Sequence, residues 1–165
     1  MVREISAGGV VIRNGKGGLR MAAIELPLVP TSGDPRSTKR VAPMRKRVIA
    51  LPKGLVDPGE PPLETALREI REETGVTAIP ITKLADIKYV YVRSWGDGER
   101  VFKIVSFYLL RYHSGRINDI VPEMRIEVQR AFWTPLQEAP ALLSHKGERD
   151  IARLALEYLK SHPDT

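Results

Sequence analysis

A sheet sandwiched between helices, in the α/β or α+β class, is the fold this sequence predicts, and three observations predict it. The chain has 165 residues, the size of one ordinary domain. β-rich runs recur from residue 5 to residue 134, in an order that mixes hairpins with longer connections. Two segments, 61–74 and 148–160, instead carry apolar residues at helical spacing. With 42% hydrophobic and 28% charged residues, the balance is that of a globular chain. No apolar run approaches the roughly 18 residues of a bilayer span, and the opening MVREIS lacks a secretory apolar stretch, so a cytoplasmic protein with no membrane partner is expected. The absence of cysteine excludes disulfides, thiolate metal sites and cysteine nucleophiles.

In chain order, Ile5 to Ile12 reads as a strand with small residues at Gly8 and Gly9. Asn14-Gly15 and Gly17-Gly18 form the turn out of it, and Met21 to Leu26 returns antiparallel. Residues 27–47 contain four prolines and no sustained period, and are expected to form a long mobile loop inserted in a single domain spanning 1–165. Val48 to Leu51 is a short buried strand leading into Pro52-Lys53-Gly54. Asp57-Pro58-Gly59 is a turn, and Pro61-Pro62 suits the first turn of a helix over 61–74, where the missing amide hydrogens cost nothing. Leu63, Ala66, Leu67, Ile70 and Thr74 form its apolar stripe, and Gly75 is placed for a left-handed cap. Leu84 to Val92 and Val101 to Tyr112 form a long hairpin around Trp95-Gly96-Asp97-Gly98. Ala131 to Thr134 is a further strand, and a helix over 148–160 turns Ile151, Leu154, Ala155, Tyr158 and Leu159 inward.

The net charge of +6 is local. Arg36, Lys39, Arg40, Arg45, Lys46 and Arg47 lie within twelve residues that hold no acid, and outside them 20 cations face 20 anions. One loop, rather than a uniformly basic surface, carries the excess. Arg45, Arg47 and their neighbours suit a polyanion, a polyphosphate or the 5′ end of an RNA; otherwise the loop is simply solubilising. No platform of interleaved basic and aromatic residues marks a general single-strand binder.

On the helix over 61–74, Glu69, Glu72 and Glu73 fall within an arc of roughly 100° beside the apolar stripe. Glu69 and Glu73 form an i, i+4 like-charge pair, which costs a helix about 0.2–0.5 kcal/mol. Surface charges on a solvated face are one reading; a cation site is the other. With no cysteine and no pair of histidines at ligand spacing, the second reading means oxygen ligation of a hard divalent ion such as Mg²⁺, whose remaining ligands are waters and phosphates.

The spacing decides between them. Gly54, Glu60, Arg68-Glu69-Ile70, Glu72-Glu73 and Gly75-Val76, nine defined positions in 23 residues, resemble the signature of the Nudix hydrolases. The resemblance implies an α/β/α sandwich with a mixed sheet. It implies further that Glu69, Glu72 and Glu73, with the carbonyl of Gly54, hold Mg²⁺, or Mn²⁺ in its place, around a diphosphate. Glu60 and Arg68 would brace the loop onto the helix. Water would attack the diphosphate linkage, its proton taken by one of these glutamates or by a later one, with Glu127 the first candidate and Glu123 the second. Lys53, at the mouth of the site, would meet a phosphate.

The run from Pro52 to Glu60 is similar to the box opening in diadenosine and diphosphoinositol polyphosphate hydrolases, and Tyr91 stands near where the diadenosine tetraphosphate branch carries a base-stacking tyrosine; Tyr89 and Tyr91 are otherwise one face of a strand. The expected activity is therefore Mg²⁺-dependent hydrolysis of a nucleoside diphosphate linked to another group, a dinucleoside polyphosphate first among substrates. RNA 5′-pyrophosphate, ADP-ribose and inositol pyrophosphate are alternatives within the family, and a non-catalytic nucleotide sensor is the alternative outside it. A monomer and a homodimer are equally compatible with the sequence.

Overall fold

The computed structural model describes residues 1–27, 47–93 and 98–165. The basic cluster up to Lys46, and residues 95–97 of the expected hairpin turn, lie outside them.

Among the described residues, seven strands form one mixed sheet: β1 (Val2–Gly15), β2 (Gly18–Leu26), β3 (Val48–Ala50), β4 (Lys53–Leu55), β5 (Val76–Val92), β6 (Arg100–Gly115) and β7 (Arg130–Pro135). Their order is β3-β2-β1-β6-β5, with β4 paired to β1 and β7 to β2. The β1–β6 pair is parallel and runs from Val2↔Val101 to Ile12↔Arg111. Every other pair is antiparallel. The β1–β2 turn closes at Gly15↔Gly18, with Gly17 at φ 85, a conformation that favours glycine.

The described residues also form three α-helices: α1 (Pro62–Thr74), the short α2 (Ala139–Leu142) and α3 (Lys146–Ser161). Pro62 occupies the first turn of α1, and Gly75, at φ 83, donates its N–H to the Arg71 carbonyl at 2.9 Å to end it. Ile70 of α1 packs against Val11, Ala22 and Leu110, while Ile151, Ala152 and Ala155 of α3 pack against Val10, Ile12, Phe107 and Leu109 on the other side. Alternation along β1 and β6 thus feeds two cores, one under each helix.

The two helices and the main strands fall where their periodicity places them, with three differences. Leu154 is exposed, because the inward arc of α3 is centred on Ile151, Ala152 and Ala155, and Leu154 stands about 105° away from that centre. Strand β5 begins at Val76, eight residues before the expected start, and absorbs Pro80 on the sheet edge through register shifts near Pro80 and Lys83. Residues Lys53–Leu55, expected only as a loop, form β4 against Ser6, Ala7 and Gly8. That pairing fixes where the segment from Gly54 onward leaves the sheet.

Candidate active site

The carboxylates of α1 are not a solvated face. Thr65, Glu69 and Glu73, one i, i+4 row, are all buried beside the apolar row of Ala66, Ile70 and Thr74. Glu69 is 7% exposed and Glu73 is 5% exposed, whereas Glu72 is partly exposed. Burial pushes Glu69 above the ordinary carboxylate range, with Arg68 opposing and Glu72 reinforcing the shift. Burial, and next the charge of Glu69, push Glu73 up to about 8. Two buried acids therefore share a place where negative charge lacks sufficient compensation.

Strand β4 approaches this row closely. At Gly54 a methyl group would overlap the carboxylate of Glu69, so glycine is needed here for space. Glu73 accepts the backbone N–H of Lys53 at 3.0 Å. From β4 the loop runs to Glu60, whose two oxygens receive Arg68 Nη2 and Nε, each at 2.9 Å, while Oε1 also accepts the Thr65 hydroxyl and the Asp57 N–H. Those hydrogen bonds, led by Arg68, hold Glu60 down at about 2. Arg68 also reaches the Leu55 carbonyl at 3.2 Å, Glu69 at 3.0 Å and Glu72 at 3.2 Å. Its guanidinium ties loop, strand and helix together and lies between two of the three box acids.

A second loop closes the site from the far end of α1. Asn118, at φ 75, donates its N–H to the Thr74 carbonyl at 2.8 Å, and Val121 donates to the Glu72 carbonyl at 3.3 Å. These bonds satisfy carbonyls left open at the helix C-terminus. Arg125 Nη2 then bonds the Asn118 carbonyl at 2.8 Å, and the 3₁₀ turn Pro122–Ile126 delivers Glu127. Glu127 lines one cavity of about 380 Å³ with Glu69, Glu73, Gly54 and Lys53, whereas Glu123 is exposed and does not line it.

The profile of the NUDIX domain matches residues 5–155, nearly the whole of this fold. The chain belongs to the NUDIX domain family, the Nudix hydrolases. It is 35% identical to MutT4 of Mycobacterium tuberculosis over 158 residues, 96% of this chain and 56% of that protein. The chain thus spans little more than half the length of that relative. It is 35% identical to the asymmetrical bis(5′-nucleosyl)-tetraphosphatase of Mus musculus over 118 residues, 68% of this chain and 72% of that one. In fold it is similar to the MutT NUDIX hydrolase of Burkholderia pseudomallei, with a TM-score of 0.62 and 23% identity over 93% of this chain and 98% of that one.

Within this Nudix domain the box from Gly54 to Val76 spans β4, the loop, α1 and the start of β5. The donors it offers a metal are carboxylate oxygens whose buried charges need a cation, which fits a hard divalent ion. As they stand, no three acid or histidine side chains among the described residues converge on one point, because Arg68 is paired with Glu69 and Glu72 while Glu73 is bonded to Lys53 N–H.

The remaining expected site residues are distributed unevenly. Lys53 lines the carboxylate cavity, and its ammonium pairs with Glu148 at 2.9 Å. Arg47 pairs with Glu25, which is shared with Arg130, and does not line the carboxylate cavity. Arg45 is outside the described residues. The hydroxyl of Tyr91 is bonded to Glu4 at 2.7 Å; Tyr89, not Tyr91, lines a second cavity of about 360 Å³ whose wall includes Lys53, Phe107 and His145.

Two residues escaped sequence reasoning. Lys103 lines the carboxylate cavity and pairs with Glu4 at 3.3 Å. Its signal was a lysine in the same i, i+2 row as buried Val101, Val105 and Phe107 on one strand. Glu148 is 4% exposed, and its signal was an acid three and four residues before the inward Ile151 and Ala152.

Proposed function

We propose that this Nudix domain is a divalent-cation-dependent pyrophosphohydrolase, that the ion is Mg²⁺ or Mn²⁺, and that its substrate is a dinucleoside polyphosphate such as diadenosine tetraphosphate. One observation carries the reading: a single cavity brings the buried Glu69 and Glu73, the facing Glu127 and the two cations Lys53 and Lys103 together. The acids of this lining suit a metal, and its ammonium groups suit phosphate oxygens.

Glu69, Glu72 and Glu73, with the Gly54 carbonyl, are the residues that would hold the ion. When bound, a divalent cation supplies neutralisation of phosphate charge and a more acidic water. Glu127, exposed at the rim, takes the proton of the attacking water. Lys53 and Lys103 donate to the phosphate oxygens and orient the chain of phosphates across the cavity. Glu60 and Arg68 keep the loop at the distance from α1 that this arrangement needs. Tyr89 gives a base an aromatic wall beside Lys53, which supports a substrate with a nucleoside next to the cleaved phosphates. The tetraphosphatase relative favours the same class of substrate.

The test is a turnover panel with Mg²⁺ or with chelator, covering diadenosine tetraphosphate, ADP-ribose, nucleoside triphosphates, 5′-triphosphorylated RNA and an inositol pyrophosphate. The expected result is metal-dependent release of a nucleotide, fastest from diadenosine tetraphosphate. Preference for another member moves the substrate assignment within the family, and turnover of none favours the non-catalytic nucleotide sensor.

A further inference from the structure

The ammonium of Lys53 is the cation that both cavities share, and it is not free to wander. Its partner, Glu148, is buried in the first turn of α3, on the same face as Ile151, Ala152 and Ala155, where an unpaired carboxylate would carry a desolvation cost. Both carboxylate oxygens are spent on one short stretch of chain. Oε1 accepts the Leu51 N–H at 2.6 Å, and Oε2 accepts Lys53 Nζ at 2.9 Å. Because Lys53 N–H is bonded to Glu73, residues 51–53 are strung between the two helices that flank the sheet.

We propose that Glu148 is a positioning residue for phosphate binding, acting on the substrate through Lys53. The inference rests on the pyrophosphohydrolase reading of the carboxylate cavity. If Lys53 left Glu148 to follow a ligand, a buried carboxylate would be stranded without its counter-charge, so the ammonium stays paired while a phosphate arrives. An ammonium has three N–H donors; one is spent on Glu148 and two remain for a phosphate. The rotamer freedom of the lysine is already lost before binding, so the ligand does not have to order it.

A double-mutant cycle tests this, read by calorimetric titration of inorganic tripolyphosphate in Mg²⁺ and by KM and kcat on diadenosine tetraphosphate. Glu148→Gln keeps an oxygen for the Leu51 N–H and removes only the charge that holds Lys53. We expect it to weaken tripolyphosphate binding about tenfold and raise KM by a similar factor, with kcat changed by no more than about twofold. Lys53→Met gives the same loss, and the double variant is no worse than Lys53→Met alone, the non-additivity of two residues acting as one. Should the glutamine variant not fold, Glu148→Asp, one methylene too short to hold both partners, takes its place in the cycle with the same expectation. Unchanged tripolyphosphate affinity, or losses that simply add, overturns the proposal and leaves Glu148 as a fold residue. Coupled loss of tripolyphosphate binding with no turnover of any substrate instead upholds the positioning role and removes the hydrolase reading.

Discussion

Glu73 of α1 accepts the backbone N–H of Lys53 at 3.0 Å, so the strand that opens the box and the helix that carries its acids meet at one buried carboxylate. The bond does two jobs that substitution can separate. A glutamine at this position retains a carbonyl oxygen for the Lys53 N–H but cannot serve as an anionic metal ligand. Glu73→Gln should therefore leave the circular dichroism spectrum, and below about pH 4.5 the melting temperature, close to those of the parent while lowering kcat by at least about 10³-fold, the scale on which loss of a main electrostatic element is felt. A variant that turns over at the parental rate would remove Glu73 from the site.

The same residue makes the stability of the metal-free protein depend on pH. Its folded pKa, about 8, lies above the ordinary value of 4.5, so the native state holds a proton that the unfolded chain has released. The stabilisation is complete below about pH 4.5 and is lost as pH rises through 8. Glu60 works in the opposite sense: held down to about 2 by Arg68 and Thr65, it stabilises above pH 4.5 and loses that contribution as pH falls toward 2. In chelator, the melting temperature should decline from about pH 5 to about pH 8.5, and Glu73→Gln should flatten the decline. Metal must displace the Glu73 proton, so titration of Mn²⁺ at about pH 7 in buffers of different ionisation enthalpy should show proton release.

Gly54 provides a steric test of the contact between strand and helix. A methyl group there overlaps the Glu69 carboxylate, and overpacking of this kind costs about 1–3 kcal/mol. Gly54→Ala should lower stability on that scale in chemical denaturation and also displace Glu69, reducing turnover. Gly8 is the matching control. An added Cβ there meets the Pro52 carbonyl and the Cβ and Cα of Lys53 rather than a box acid, so Gly8→Ala should cost stability without a specific loss of Mn²⁺ affinity. Equal loss of metal affinity in both would show that Gly54 matters only for folding.

Arg68 and Glu60 join the loop to the helix through two 2.9 Å hydrogen bonds, and Arg68 alone reaches Glu69 and Glu72 as well. Arg68→Lys keeps the charge and loses the fork that matches a carboxylate with two parallel donors. We expect a fall of about 10–100-fold in Mn²⁺ affinity or turnover, with a lower melting temperature, the usual cost of losing a group that orients metal ligands. Full activity in Arg68→Lys would mean that charge, not geometry, is what the loop requires.

Much of this arrangement was legible before any coordinates, because its parts are local. The α1 stripe, its proline start and its Gly75 cap follow from periods of three and four residues, and the acids follow from fixed spacing within the same 23 residues. What the sequence hid depends on pairing between distant segments. Lys103 comes to the cavity only because β6 lies parallel to β1 in the register Glu4↔Lys103, and Glu148 only because α3 docks against residues 51–53, 95 to 97 positions away. Tyr89 and Tyr91 share one face of a strand, so their sequence could not separate them; a tertiary contact does, the bond of the Tyr91 hydroxyl to Glu4. Leu154 misled for a simpler reason, since an apolar residue at i+3 from Ile151 fits the helical pattern although the packed arc runs the other way.

Two later glutamates competed for the proton of the attacking water, and their positions now differ. Glu127 ends the 3₁₀ turn anchored through Asn118 and Val121 to the C-terminal carbonyls of α1, and it lines the carboxylate cavity; Glu123 stands at the start of that turn and does not line it. Removing a positioned general base typically costs about 10²–10⁴-fold, with the loss falling on kcat when substrate binding is undisturbed. Glu127→Gln should therefore lower kcat by that factor with KM little changed, and Glu123→Gln should leave both constants as they are. The pH profile separates a base from a merely anionic neighbour, because Glu127→Gln should also abolish the acidic limb of kcat if Glu127 is the group that must be ionised. An acidic limb that survives the substitution would pass the role to a glutamate of the box.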